Sequence, residues 1–480
     1  MTLAQTLTFA GLALLGGWLT NTRSRARAYF LLTASVLAVF WLQPALPIRY
    51  LDFWLPCATL AIVWLSWALT AAPGQRAVRE NWLSGGLVCA LILLAALTRL
   101  LPFDSILTAS TPPQAWELIL PAGLLALAVF ALTRWRRGWF LTAGIAALIG
   151  LLILQKSPQL GAAASLFLRA ANGQAVGPAS GLDLRWLGFS YIAFRLIHSL
   201  RDRQAGRLKD VSLGEYFTYV IFFPALTAGP IDRIDNFTKH LRAPAVLDRE
   251  QQLRAGRRFF VGLFKKYVLA DSLALIAMNS TNALQVRGAG WAWVLLYAYT
   301  LQIYFDFSGY TDIVIGMALV LGFNLPENFN APYRQPNLTQ FWNNWHISLT
   351  QWFRAYYFNP LNRWLRTEST HAKIQLPTPL QVLFLQVSTM LLIGLWHGVT
   401  LNFVLWGVWH GLGLFAHNRW SDLIKPRADA WAVTPLRKNL LYFSGVLATF
   451  HFVALGWVFF ALPGIAISAH FFQILLGFNG

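Results

Sequence analysis

Three short segments of this sequence set ionisable or hydrogen-bonding side chains in an otherwise apolar chain. The first is Trp345-His346-Ile347-Ser348-Leu349, inside Phe341–Arg354, with Asn343, Asn344, Gln351 and Arg354 on an aromatic background. His346 and Arg354 are eight residues apart, which on a helix puts them on nearly the same face. Such a helix can present an imidazole and a cation together, or it can lie in a membrane interface with Trp at headgroup level and Arg snorkelling. The second segment is Leu395-Trp396-His397-Gly398, where Gly398 permits close backbone approach. The nearest charges to His397 are Lys373 and Arg419. Burial disfavours an imidazolium, and a neutral imidazole is what a general base requires; a satisfied histidine at a helix end is the equal alternative. His410, in Trp409-His410-Gly411, reads as structural. The third segment is Tyr304–Asp312, in which Gln302 and Asp306 share a helix face at i, i+4. A buried Asp306 needs a partner, and a carboxylate tying neighbouring helices together is the favoured reading. No His or Cys spacing suits a metal, and neither a Gly-x-Ser-x-Gly elbow nor a Walker phosphate loop is present. If the protein is an enzyme, its nucleophile comes from a substrate.

The elements that must hold these groups are membrane helices. Of 480 residues, 56% are hydrophobic and only 12% charged, and there are 22 Trp and 35 Phe. Soluble domains carry about 25% charged residues. Disorder is excluded by the hydrophobicity, and a disulfide scaffold by the presence of two Cys. The balance of 38 Lys and Arg against 19 Asp and Glu leaves a net +19, yet too little polar sequence remains to build a nucleic-acid-binding domain. Cys57 and Cys89 each lie in an apolar run and are expected to be small buried hydrophobes. Apolar runs at Leu3–Thr20, Ala28–Pro47, Leu51–Ala72, Trp82–Leu101, Trp116–Thr133, Phe140–Leu154 and Leu184–Leu200 are sized for helices crossing a core about 30 Å thick. The first lacks a basic leader and is not a secretory signal. Arg23, Arg25 and Arg27; Arg76 and Arg79; Arg134, Arg136 and Arg137; and Arg201, Arg203, Arg207 and Lys209 follow alternate runs, 12 cations on one side. The other side has five, Arg49, Arg99, Lys156, Arg169 and Arg185. The richer side is read as cytoplasmic, with the amino terminus and the loop 155–180 outside.

The second half breaks this pattern. Glu215–Gly229 is apolar but short, residues 230–258 are basic, Lys265-Lys266 interrupts Phe259–Met278, and Trp291–Phe323 contains Asp306 and Asp312. Residues 324–378 are polar and aromatic, before Leu380–Trp396, Leu401–Phe415, Leu440–Leu462 and Ile465–Leu476 resume ordinary spans. Broken segments at membrane depth persist only where protein covers them or they line a wet cavity. The expectation is an all-α polytopic transmembrane protein of about 11–14 spans, each roughly 20 residues, with broken or re-entrant helices. Residues 1–180 are expected to form a lipid-facing wall and 181–480 the functional core. No internal repeat is evident, which argues against an inverted-repeat transporter.

Pro326-Glu327-Asn328-Phe329-Asn330-Ala331-Pro332-Tyr333, Phe341–Leu349, Trp352-Phe353-Arg354 and Leu395-Trp396-His397-Gly398 together resemble the bacterial membrane-bound O-acyltransferases over roughly residues 180–460. Pro326–Tyr333 and Tyr304–Asp312 are similar to alginate O-acetyltransferase. Phe222-Phe223-Pro224, Ala228–Arg233 and Leu184–Arg195 are similar to the D-alanyl transferase of lipoteichoic acid. Asn362-Arg363 departs from the Gly pair typical of the acetyltransferases. The resemblance implies a central tunnel with the invariant histidine at His397 and a second polar position at His346, 51 residues earlier. It implies no tightly bound cofactor. An acyl thioester donor on the cytoplasmic side, acetyl-coenzyme A or an acyl carrier protein, would meet a hydroxyl of an exported polysaccharide outside, with or without an extracytoplasmic partner acyltransferase. In that frame His397 is the expected base. His346, with Asn343 or Asn344, would give orientation or oxyanion support, and Trp396 and Asp306 are supporting residues. Arg354 and the basic stretch 233–258 would hold an anionic donor, or the stretch serves topology and lipid headgroups. D-alanyl transfer to a teichoic-type polymer and a transporter or flippase with a histidine proton relay are the rival readings. The expected location is the bacterial cytoplasmic membrane, with lipid and no nucleic acid as surroundings.

Overall fold

In hydrocarbon every backbone N–H and C=O must be satisfied within its own segment, so the apolar runs of this chain fold as helices. The computed structural model describes all residues except 21–23, 73–77, 102–106, 135–137, 178, 244–247, 372–376 and 479–480. Arg23, Arg76, Arg136, Arg137 and Lys373 lie outside the described residues. Helices α1 (Leu3–Thr20), α2 (Ser24–Leu42), α3 (Leu51–Thr70), α4 (Arg79–Leu97), α5 (Ile119–Arg134), α6 (Trp139–Lys156), α7 (Pro158–Ala171), α8 (Phe189–Gln204), α9 (Leu213–Val220), α10 (Ile234–Arg242) and α11 (Arg249–Leu263) come first. Then follow α12 (Asp271–Ala274), α13 (Ser280–Gln285), α14 (Ala289–Val320), α15 (Leu338–Asn344), α16 (Ile347–Phe353), α17 (Asn359–His371), α18 (Thr378–His397), α19 (Leu401–Trp431), α20 (Pro435–Ala461) and α21 (Ile465–Leu475). Eight of the described helices are long and apolar enough to cross a membrane, and Leu3–Trp18 and Ile465–Leu475 are shorter apolar helices. Among the described residues the one strand-like pairing is an antiparallel bridge, Phe329 with Trp345. The chain is an all-α, multi-pass membrane protein. The expected loop 155–180 is largely the helix α7, capped by the Ser157 hydroxyl with Pro158 in its first turn.

The chain divides into two compact units, Met1–Phe259 with Ile313–Pro326, and Phe260–Asp312 with Glu327–Gly480. In the first unit, buried arginines explain how broken helices survive. Helix α9 is only eight residues long, and the chain leaves it through a short 3-10 turn at Phe223–Ala225. Arg195 of α8, 3% exposed, donates to the carbonyls of Val220 and Ala225, both at 2.7 Å. Arg27, counted above with the orienting charges, is 1% exposed. It donates to the carbonyls of His240 (3.1 Å), Ala243 (2.7 Å) and Leu321 (2.6 Å), at the C-terminal ends of α10 and α14, and lies over the Phe323 ring. A guanidinium has five donors and no acceptor, which suits it to collecting carbonyls that helix ends leave open. Cys57 is half-buried, but Cys89 is exposed on α4 and is not the buried hydrophobe expected of it.

In the second unit, α18 and α19 pack backbone to backbone. A Cβ on Gly407 would come 2.7 Å from Leu391 Cα, and one on Gly394 would strike the Phe403 carbonyl. Small residues at such contacts are how membrane helices approach closely. Lys265 and Lys266 occupy a π-helical turn, Phe264–Ala270, and face α14. Lys265 pairs with Asp312 at 2.7 Å and Lys266 with Asp306. Gly309 lies between these pairs, and a Cβ there would come 2.8 Å from the Lys266 amide nitrogen. The Asp306 side chain is about half exposed, and its pairing with Lys266 ties the π-helical turn to α14.

Candidate active site

The segment Phe341–Arg354 is not one helix. α15 ends at Asn344, Trp345 is extended, and His346 sits in the left-handed region (φ 44°, ψ 54°) as the N-cap of α16. That conformation costs a residue with a Cβ about 1–2 kcal/mol, and neighbouring backbone holds it. The Asn330 N–H donates to the Asn344 carbonyl (3.1 Å) and the Ile347 N–H to the Asn328 carbonyl (3.0 Å), flanking the Phe329–Trp345 bridge. α16 then gives way at Arg354 to a π-helical turn, Arg354–Phe358. His346 and Arg354 therefore do not share one regular helix face, because the helix restarts at the first and widens at the second. Trp342 and Trp345 are buried, so these two indoles pack inside the unit, while Trp352 is half-buried.

Asn328, 0% exposed, organises this break. Its Oδ1 accepts the Ser348 N–H (3.1 Å) and the Ser348 hydroxyl (2.8 Å), and lies 3.3 Å from His346 Nδ1. A backbone N–H can only donate, so the atom facing it is the amide oxygen, and His346 Nδ1 must carry the hydrogen. His346 Nε2 then bears the lone pair. Burial pushes this imidazole well below the usual histidine range and keeps it neutral. The Phe307 ring stands edge-on to it at 4.7 Å. An imidazole in this tautomer accepts a proton at Nε2. It does not offer Nε2–H to an oxyanion, the support role expected from sequence. Neither Asn328 nor Ser348 was singled out by type, since an Asn two residues after Pro326 reads locally as a turn residue.

His397 is the last residue of α18 and is half-buried. Its ring lies 4.5 Å from Trp396 and 4.7 Å from Phe460. Gly398 allows the Phe403 ring to close in, since a Cβ there would come 2.7 Å from it. His346 reaches the same Trp396 ring at 6.3 Å, so both histidines, from different helices, pack against one indole. His410, 0% exposed, is caged by Trp342 and Trp406 at 5.2 and 4.9 Å, consistent with packing.

A cavity of about 240 Å³ in this unit is lined by Asn343, Arg354, Gln386 and Asn418 among its polar residues and by Trp342 and Ile393 among its apolar ones. Arg354 donates to Asn343 Oδ1 at 2.7 Å. Trp342 precedes His346, and Ile393 precedes His397, by four residues each. The fold thus gathers His346, Trp396 and His397 in one cluster and Asn343 with Arg354 in one cavity. It leaves out Asn344, whose amide donates back to the Gln340 carbonyl (2.8 Å), and Asp306, which pairs with Lys266. In the first unit, Arg233 of the basic stretch pairs with Asp202, and Arg242 with Glu215, so two of its cations are already committed.

The family described as MBOAT, membrane-bound O-acyltransferase, matches residues 165–453, which contain Asn328, Asn343, His346, Arg354, Trp396 and His397. A probable alginate O-acetylase AlgI of Pseudomonas putida is 35% identical over 300 residues, 61% of this chain and 56% of that protein. A teichoic acid D-alanyltransferase of Streptococcus thermophilus is 28% identical over 298 residues, 58% of this chain and 68% of its own length. A peptidoglycan O-acetyltransferase of Helicobacter pylori is 32% identical over 279 residues, 55% and 47% of the two chains. The matched region spans about half the length of the alginate O-acetylases.

Proposed function

The chain belongs to the membrane-bound O-acyltransferase family, and on that premise we propose that it transfers a small acyl group, acetyl in the first instance, from a thioester to a hydroxyl of an exported or cell-surface polysaccharide. The observation that carries this reading is the pair of imidazoles on Trp396, one of them fixed by Asn328 with the hydrogen on Nδ1 and the lone pair on Nε2. Attack of an alcohol on a thioester needs a base for the hydroxyl proton, and a positioned base contributes about 10²–10⁴-fold. We assign proton abstraction to this pair, with the Asn328 contact favouring His346 as the acceptor of the proton. Arg354 and Asn343 would receive the phosphate-bearing arm of the donor, coenzyme A or a carrier protein. No tightly bound cofactor enters this scheme. The donor would approach from the cytoplasm and the acceptor from outside a bacterial inner membrane, with the amino terminus extracytoplasmic and an extracytoplasmic acyltransferase as an optional relay. A second reading, D-alanyl transfer to a teichoic-type polymer, is supported by the S. thermophilus relative.

The test is His397→Ala, with His346→Ala beside it, scoring surface-glycan ester content and polymer export separately. Ester should fall at least 100-fold while export continues. If export fails while ester per exported chain is unchanged, the protein is a transporter with a histidine relay and the acyltransferase reading is wrong.

A further inference from the structure

We propose that the first unit holds a phosphoethanolamine-type phospholipid headgroup in a cleft remote in sequence from the histidine cluster. The cleft, about 750 Å³, is lined by Arg25, Tyr29, Arg79, Glu80, Glu215 and Arg242, with Leu32 and Leu83 among its apolar residues. That volume falls in the range of small-molecule sites, about 300–1,000 Å³.

The beginnings of α2, α4 and α9 border it, and they are locked together. Asn81 of α4 accepts the Leu213 N–H at 2.7 Å, and Ser212 and Glu215 form a reciprocal capping box on α9. The α9 start is therefore satisfied. The α4 start has no side-chain cap; the Asn81 N–H turns back to the Val78 carbonyl (2.9 Å), which leaves the N–H groups of Arg79 and Glu80 facing an anion.

The charges sort in the same way. Arg242 donates twice to Glu215, at 2.6 and 2.8 Å, and once to the Asp210 carbonyl, and Glu80 attracts it from farther off, so Arg242 is committed within the cleft. Arg25, Arg79 and Glu80 form no ion pair or hydrogen bond among the described residues. What remains is two guanidiniums and one carboxylate above a leucine-lined floor. Two guanidiniums beside an uncapped helix start match a phosphodiester. A carboxylate beside them would repel a purely anionic headgroup and would welcome a primary ammonium. Only a ligand with phosphate, ammonium and an apolar tail answers all three. Basic pockets between membrane helices on the cytoplasmic side are general headgroup sites, and this cleft lies at the end that the charge alternation assigns to the cytoplasm.

The test uses the delipidated full-length protein in detergent, unfolded thermally with added phosphatidylethanolamine, phosphatidylglycerol, phosphatidylcholine or soluble phosphoethanolamine. Phosphatidylethanolamine should raise the midpoint by several degrees more than the other two lipids, and soluble phosphoethanolamine should not match it. Glu80→Gln should abolish the preference over phosphatidylcholine, which offers no N–H donor. Arg25→Gln with Arg79→Gln should abolish the response to all three lipids. Native mass spectrometry of retained lipid reads the same preference if either variant is too unstable to melt cleanly. Equal responses to the three lipids, a preference that survives these substitutions, or an equal shift with soluble phosphoethanolamine would overturn the proposal.

Discussion

Replacing Asn328 with Ala tests the proposed chemistry where its geometry is most specific. Asn328 Oδ1 is the acceptor for the Ser348 N–H and hydroxyl and for His346 Nδ1. Its removal leaves a buried N–H without an acceptor, at about 1–3 kcal/mol, while the Ser348 hydroxyl can rotate to another partner. The bond that biases the imidazole tautomer is worth about 1 kcal/mol. At about 1.4 kcal/mol per tenfold, that is a fivefold change in the population of the base-competent form. The left-handed turn at His346 would also be less restrained. The variant should therefore lose about five- to 100-fold in acyl transfer, less than the 10²–10⁴-fold expected for His346→Ala. Asn328→Asp is the sharper control, because its carboxylate still accepts every bond but stabilises the imidazolium. The raised His346 pKa means that the base protonates sooner on acidification, so activity should fall at higher pH than in the parent protein. The assay is ester formed on the acceptor polymer by purified protein, profiled over pH. An Asn328→Ala rate within twofold of the parent, or an Asn328→Asp acid limb that does not move, would refute the tautomer argument.

Two further outcomes concern the scaffold. Arg27→Met strips the donor from three carbonyls, at about 1–3 kcal/mol for each left unsatisfied. The melting temperature should drop by many degrees, with partial recovery in Arg27→Lys; an unchanged melting curve would mean that those carbonyls find other donors. Asp183 is drawn upward by burial, but the Ser165 hydroxyl, Arg169 and the Ser180 N–H outweigh it and hold its pKa below the ordinary carboxylate value. A depressed pKa stabilises above the unfolded value, about 3.9, and the gain is lost as pH falls through the folded one. Asp183→Asn should thus melt below the parent at neutral pH, with the gap closing as the pH falls below the ordinary carboxylate range; a gap independent of pH would assign the effect to packing.

Hydropathy and charge placement are local properties, which is why the spans within residues 1–154 and those after 378 were readable as helices before any contact was known, whereas α7 in the expected loop 155–180 was not. The two histidines were legible for a related reason: polar residues in an apolar chain stand out one at a time, and their flanking Trp and Gly residues carry a recognisable pattern. Other features depended on which helices pack together. Arg27 reads as an orienting charge until α10 and α14 place three carbonyls around it. Lys265 and Lys266 read as interruptions until a π-helical turn aims them at α14. His346 and Arg354 read as one face until a left-handed residue breaks the helix between α15 and α16. The tautomer of His346, and with it the direction in which a proton can move, is set by Asn328, 18 residues away in the chain. Composition and spacing determined the medium, the helices and the candidate imidazoles. Only the tertiary structure decided which nitrogen holds the proton, because that depends on one acceptor atom brought into hydrogen-bond range by the fold.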